Sequence, residues 1–229
     1  MSVDRSWPQD EPAPSEAVAW PRPKPAYDLL SRLLDVVVAA VVLVVLSPLW
    51  LAIAALVRTT SPGPALFRRT VVGKGGQRFT YYKFRSMVDG DDSHHREWLR
   101  DFVTRDAPYQ EGRFKVVGDR RITPVGRWLR RLSVDEVPQL INVVRGDMSI
   151  VGPRPPILEE FHHYDATSRR RLAVKPGITG LYQVTARGRV PFSQMRAIDL
   201  DYIERRSLRL DLVIMVRTIA VMLSGKGAD

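Results

Sequence analysis

A run of 25 residues, LLDVVVAAVVLVVLSPLWLAIAALV from Leu33 to Val57, carries one charge, Asp35. As a helix it is long enough to cross a bilayer. A soluble chain of 229 residues has too little interior to bury a helix this long that is apolar all round. The run is also too long and too far from the N-terminus for a signal-peptide core, and no cleavage-type stretch follows it. Two features argue against a straight span. Ser47-Pro48 falls inside the run, and proline lacks an N–H and crowds the carbonyl four residues back, so the helix kinks or breaks there. Both flanks are basic: Arg22, Lys24 and Arg32 precede the segment, while Arg58, Arg68, Arg69 and Lys74 follow it. Positive flanks favour the cytoplasmic side. Both ends can lie there only if the helix turns back within the membrane. Residues 27–60 are therefore expected to form a re-entrant membrane helix broken at Ser47 and Pro48, with a kinked single-pass helix as the alternative.

The segment divides the chain. Residues 1–26 are proline-rich, with no apolar period, and read as a disordered tail. Residues 61–229 read as one globular domain on the cytosolic face. Within it SPGP (61–64) is a turn, and residues 65–84 suggest two short strands around Gly73 to Gly76. Residues 93–105 have helical spacing. Thr123-Pro124 opens another helix, Thr as N-cap and Pro at the first helical position, with Val125, Trp128, Leu129 and Leu132 on one face. A last apolar helix over 208–223, interrupted by Asp211 and Arg217, either packs in the core or lies on the membrane surface. The expected fold class is α+β, mostly helical with a small sheet, in a monotopic membrane protein; no internal repeat is visible.

Charge narrows the partners. The formal net charge is +10, and 29 of the 35 basic residues are arginine. A GC-rich genome accounts for part of that bias, but the excess still implies anionic partners: nucleic acid, anionic lipid or phosphorylated small molecules. With no cysteine the chain has no disulfide, no Cys-ligated zinc and no thiolate nucleophile.

Against this basic background residues 132–140 read LSVDEVPQL. Ser133 and Glu136 have capping-box spacing, although Pro138 would then sit at the fifth helical position and cost a hydrogen bond. With Asp135 as the cap, Pro138 falls in the tolerated first turn. Either way Asp135 lies at a helix N-terminus, where anions are stabilised. A carboxylate held ionised beside a phosphate-attracting site is how a phosphoryl-accepting aspartate would be built. Glu136 could hold a divalent metal. Alone, such a pair is far more often a cap.

The neighbouring motifs shift that weighting. YYKFRSM (81–87) places Lys83 and Arg85 at alternate positions, hence on one strand face. MSIVGPRPP (148–156) is a rigid loop displaying Arg154, and KPGITGLYQVTARGR (175–189) ends in Arg187 and Arg189. Each has an ordinary reading, as a solvated strand face, a surface turn or a basic patch. Rigid or basic segments gathered around one acidic pair point instead to phosphate chemistry. VVGKGG (71–76) lacks P-loop spacing, the pairs His94-His95 and His162-His163 lack the i, i+4 spacing of a helical zinc site, and no G-x-S-x-G occurs.

Taken in order, the Ser-Pro hydrophobic segment, SPGPALFRR, VGKGG, KFRSM, RITPVGRWLRRLSVDEVPQLINVVRGDMSIVGPRP, KPGITGLYQV and LDYIERRSLRLDLVIMVRTI resemble the bacterial sugar transferases, the monotopic polyprenol-phosphate phosphoglycosyl transferases. The match runs from about Tyr27 to Ala228. One departure is Ala186, where the family usually has Gly before the Arg. The resemblance implies a re-entrant helix with both ends in the cytosol of a bacterial inner membrane, and Asp135 as nucleophile. It implies attack on the β-phosphorus of a UDP-sugar, release of UMP, a phosphosugar adduct on Asp135, and transfer to polyprenol (undecaprenyl) phosphate. It implies Mg²⁺ on Glu136, and phosphate or nucleotide contacts from Lys83, Arg85, Arg130, Arg154 and Arg187. Membrane lipids are implied partners, and a homodimer is left open. The sugar and the polysaccharide or glycoconjugate pathway are not specified.

Three rival readings remain at this level. A membrane-tethered nucleic-acid-binding module is permitted by the arginine excess, but aromatics are sparse and no helix-turn-helix, RRM or zinc-finger pattern occurs, so nucleic acid is not an expected partner. Direct transfer with the Asp-Glu pair only holding metal, and a non-catalytic scaffold, are the others.

Overall fold

The computed structural model describes residues 21–90, 93–106, 121–186 and 189–224. The apolar run forms two helices, α1 (Pro25–Val45) and α2 (Ser47–Thr60), meeting at Leu46 with a 66° bend. The break has a local cause. Pro48 supplies no N–H, and Trp50 turns its indole Nε1–H onto the carbonyl of Val42 at 3.1 Å. No single helix among the described residues is long and apolar enough to cross a membrane, whereas the bent pair meets the test together. A broken span and a re-entrant hairpin both take this form, and the broken helix expected from Ser47-Pro48 is present. Leu29, Leu33, Val37, Val41 and Val44 stay exposed along one side of α1, while Asp35 and Ala39 are buried against the domain. Arg32 donates to the carbonyls of Val143 (2.5 Å) and Val144 (2.9 Å), and Asp35 accepts from the Ile150 amide at 2.9 Å.

β1 (Leu66–Val72) and β2 (Arg78–Phe84) form the expected antiparallel hairpin, in register from Leu66↔Phe84 to Val72↔Arg78. Its turn needs glycine at Gly75 and Gly76, where φ is +65° and +82°. α3 (Ser93–Thr104) follows, then α4 (Pro124–Arg131), whose cap is the predicted one: the Gly126 amide donates to Thr123 Oγ1 at 2.9 Å. The face foreseen for α4 is only partly buried. Leu129 is fully buried, but Trp128 remains 48% exposed, because eight residues turn only a narrow stripe inward and Gly126 and Leu129 occupy it.

A tight 3-10 turn (Val134–Gln139) leads into α5 (Leu140–Arg145), which ends at Gly146 in the left-handed region. β3 (Ser149–Val151) pairs in parallel with β4 (Gly177–Thr179), so there are two small sheets. Between them lie α6 (Leu158–Phe161) and α7 (Ala166–Arg169), and after them come α8 (Leu181–Thr185), α9 (Phe192–Arg205) and α10 (Leu208–Ser224). α10 packs inward through Ile214 and Asp211 and leaves Leu212, Val213, Val216 and Ile219 exposed. The architecture is mostly helical with small sheets and an N-terminal bent helix pair. Residues 1–20 of the expected tail lie outside the described residues.

Candidate active site

The site forms where the 134–139 turn docks on β2. Its polar rungs climb the strand: Asn142 Nδ2 donates to the Thr80 carbonyl (2.7 Å), Gln139 Nε2 to Tyr81 Oη (3.3 Å), and Lys83 Nζ to Glu136 Oε1 (2.8 Å). Lys83 Nζ also lies 4.0 Å from Asp135 Oδ2, and 5.4 Å from the centre of the Tyr81 ring. One ammonium group thus faces both carboxylates.

The turn differs from the expected cap. Ser133 sits in the left-handed region (φ +53°) and its side chain makes no capping bond, so the capping box spelled by Ser133 and Glu136 does not form. The physical reason is Pro138. An α-helix opening at Ser133 would lose a bond at that position, and the chain instead makes a 3-10 turn before α5 begins at Leu140. A non-glycine residue held at positive φ two positions before an acidic pair is local strain of a kind that clusters at functional sites. The Asp135 side chain is 9% exposed, whereas those of Glu136 and Lys83 are 23% and 25% exposed. An opening therefore lies beside a carboxylate that is itself screened from bulk water.

The other candidate cations are dispersed. Arg85 is buried and its Nη2 donates to the Val57 carbonyl (3.2 Å) and to Ser61 O (2.7 Å) and Oγ (2.9 Å), pinning the end of α2. Lys83 and Arg85 therefore reach different partners, although they sit two positions apart. Arg130 Nη1 lies 3.3 Å from Met87 Sδ, which brings α4 against the end of the KFRSM stretch. Arg154 donates to Glu160 Oε2 at 3.1 Å. Arg187 lies outside the described residues.

Sequence reasoning did not find Tyr81 and Gln139, whose signals were the positions i−2 from Lys83 and i+4 from Asp135. Nor did it find the network holding Arg154. Glu160 accepts from Tyr164 Oη (2.6 Å), and buried Arg171 donates through Nε to Asp199 Oδ2 (2.8 Å), through Nη1 to Tyr164 Oη, and through Nη2 to the Arg154 carbonyl (3.2 Å). Burial pushes the Asp199 carboxyl above its ordinary range, against the pull of Arg171.

A cation over two adjacent carboxylates, one buried and one accessible, beside a basic strand end, is a workable phosphoryl-transfer site. Residues 26–225 match the family described as bacterial sugar transferase. The chain belongs to that family. This bacterial sugar transferase is 38% identical to the exopolysaccharide production protein ExoY of Sinorhizobium fredii over 207 residues, which is 90% of each chain. It is 42% identical to the UDP-glucose:undecaprenyl-phosphate glucose-1-phosphate transferase of Caulobacter vibrioides over 216 residues, 91% of this chain and 75% of that protein. It is 39% identical to the undecaprenyl-phosphate galactose phosphotransferase of Salmonella typhimurium over 199 residues, 87% of this chain and 41% of that longer protein. These relatives carry different sugar names, so family membership establishes a sugar transferase without choosing the sugar.

Proposed function

We propose that this chain transfers a sugar 1-phosphate from a UDP-sugar to polyprenol phosphate by two displacements at Asp135. An Asp135 carboxylate oxygen attacks the β-phosphorus of the UDP-sugar, and the bond to the bridging oxygen breaks with its electron pair leaving on UMP. The phosphosugar is then held as an acyl phosphate. A phosphate oxygen of polyprenol phosphate attacks the same phosphorus, the bond to Asp135 breaks, and a polyprenyl-diphosphate sugar leaves with the carboxylate restored. The order suits one soluble and one lipid substrate sharing a nucleophile.

The observation that carries this reading is Lys83 facing both Asp135 and Glu136. A carboxylate must approach an anionic diphosphate, and a fixed ammonium group offsets both that repulsion and the charge gathering on UMP. The low exposure of Asp135 supports the covalent step, since an acyl phosphate hydrolyses more slowly where water is kept away. Among the described residues no group of three or more His, Cys, Asp or Glu could hold a metal. Mg²⁺ needs less than that. It is held by one or two carboxylates together with substrate phosphates and water, and Glu136 beside Asp135 fits that donor set. When bound there it would neutralise diphosphate charge.

The bent pair α1–α2 supports a re-entrant anchor in the bacterial inner membrane, with the domain on the cytosolic face and the site at headgroup depth, where the acceptor phosphate lies. UMP release from a panel of UDP-sugars with polyprenol phosphate, comparing wild type with Asp135→Asn, tests the proposal. The expected result is turnover of one sugar by the wild type and a folded, inactive variant. A variant that keeps most of the activity would reduce Asp135 to a structural role.

A further inference from the structure

A second cleft, about 130 Å³ and open to solvent, lies on the domain side of α1. Four cations from separate segments line it: Arg32 of α1, Lys74 of the hairpin turn, Lys175 of the Pro-Gly turn before β4, and Arg206 between α9 and α10. The carboxylates in its wall are Asp28 and Asp35, and Asp35 is already engaged by the Ile150 amide. None of the residues lining the cleft belongs to the 134–139 turn or to β2. Lys74 sits in the turn beyond one end of β2 and Lys83 near the other end, and the strand between Arg78 and Lys83 alone spans roughly 17 Å at the usual rise per residue.

Two details mark the cleft as short of negative charge. Arg206 is 6% exposed, and its Nη1 and Nη2 donate to Ile203 O (2.6 Å) and Arg22 O (3.3 Å). Its Nε has no hydrogen-bond partner among the described residues, the nearest carboxylate oxygen being Asp28 Oδ1 at 3.9 Å. Around Gly146, Arg32 Nη2 and Lys175 Nζ converge to 3.4 Å and 3.6 Å from the space a side chain would fill. Burial, and then the neighbouring Arg32, hold the Lys175 ammonium below its ordinary value, against the pull of Asp35 and Asp147.

We propose that this cleft is a second anion site that binds a phosphate group. Guanidinium and ammonium donors from several directions match phosphate oxygens. The setting favours a lipid headgroup as the source. The same helix that contributes Arg32 exposes Leu29, Leu33 and Val37 on its other side, so an acyl chain can run along α1 while the headgroup turns into the cleft. A soluble phosphate offers the same oxygens. The site would couple the membrane anchor to the β3–β4 region through one bound anion, independently of the chemistry at Asp135.

The test uses the full chain in neutral detergent, with thermal unfolding followed against dihexanoyl-phosphatidylglycerol and, separately, inorganic phosphate. A ligand that binds only the folded state raises the transition saturably. The expected result is a saturable rise with the lipid probe whose apparent affinity falls at least tenfold in Lys74→Ser/Lys175→Ser. Arg68→Ser/Arg100→Ser, which removes two exposed charges elsewhere, should stay within twofold of wild type. Competition by inorganic phosphate is expected if both occupy one site, and a saturable rise with phosphate alone would make the source soluble. No saturable rise with either probe overturns the proposal. So does unchanged affinity in the cleft variant, or an equal loss in the control. Should the double variant fail to fold, Lys175→Gln alone carries the same comparison.

Discussion

Lys83 Nζ bonds Glu136 at 2.8 Å and stands 4.0 Å from Asp135, so a single strand residue governs the field at two carboxylates. Removing that cation should slow the chemistry more than it loosens the fold, because a quarter-exposed lysine contributes little to stability. Lys83→Met is expected to lower UMP release by about 10²-fold, the scale of losing one preorganised donor to developing charge. Lys83→Arg should recover part of it. Steady-state kinetics beside a circular-dichroism melt separates the effects. Full activity in Lys83→Met would remove Lys83 from the site.

How far the sequence foretold this site depends on the range of each signal. The hairpin, the α4 cap and the break at Ser47-Pro48 were legible because each is set by residues within one turn of each other. The parallel β3–β4 pair was not, since three residues per strand are too few for alternation and the partners are far apart in the chain. Lys83 and Arg85 share a strand parity but not a partner, because Arg85 lies just past the end of β2 and meets α2. The Glu160–Arg171–Asp199 network joins three elements remote in sequence and left no local pattern. The capping box spelled by Ser133 and Glu136 failed to form because Pro138 overrode it.

Pro48 is expected to set topology. Pro48→Ala restores an N–H donor and relieves a constraint worth about 3 kcal/mol within a helix, so α1 and α2 can merge into one span. With the bend in place, a cysteine at Trp20 should react only with reagent on the cytoplasmic side. In Pro48→Ala a fraction should become reactive from outside. Outside labelling of the otherwise wild-type chain would overturn the re-entrant arrangement.

Gly126 is required by packing. A methyl group there would collide with the Ser86 backbone, which α4 approaches closely while the Thr123 amide bonds the Ser86 carbonyl at 3.1 Å. Backbone cannot rotate away as a side chain can. Gly126→Ala should therefore destabilise by about 1–3 kcal/mol, the usual cost of overpacking, despite alanine's better helix propensity. Chemical denaturation measures it, and a stabilised variant would show that α4 can shift.

Asp211 ties α1 to α10. Tyr27 Oη donates to its Oδ2 at 2.8 Å and Tyr202 Oη to its Oδ1 at 2.9 Å. Burial nonetheless holds the Asp211 carboxyl above its ordinary value, outweighing both bonds. A carboxyl with a raised folded pKa binds its proton more tightly in the folded than in the unfolded state. Its contribution is therefore most favourable below the unfolded pKa and is lost as pH rises through the folded one. Asp211→Asn keeps the size and removes the titration. Stability of wild type relative to the variant should thus fall on going from strongly acid conditions towards neutrality and then level off. Thermal melts of both proteins across that range check the sign. A relative stability that rises with pH instead would mean that the two tyrosines, and not burial, dominate this carboxylate.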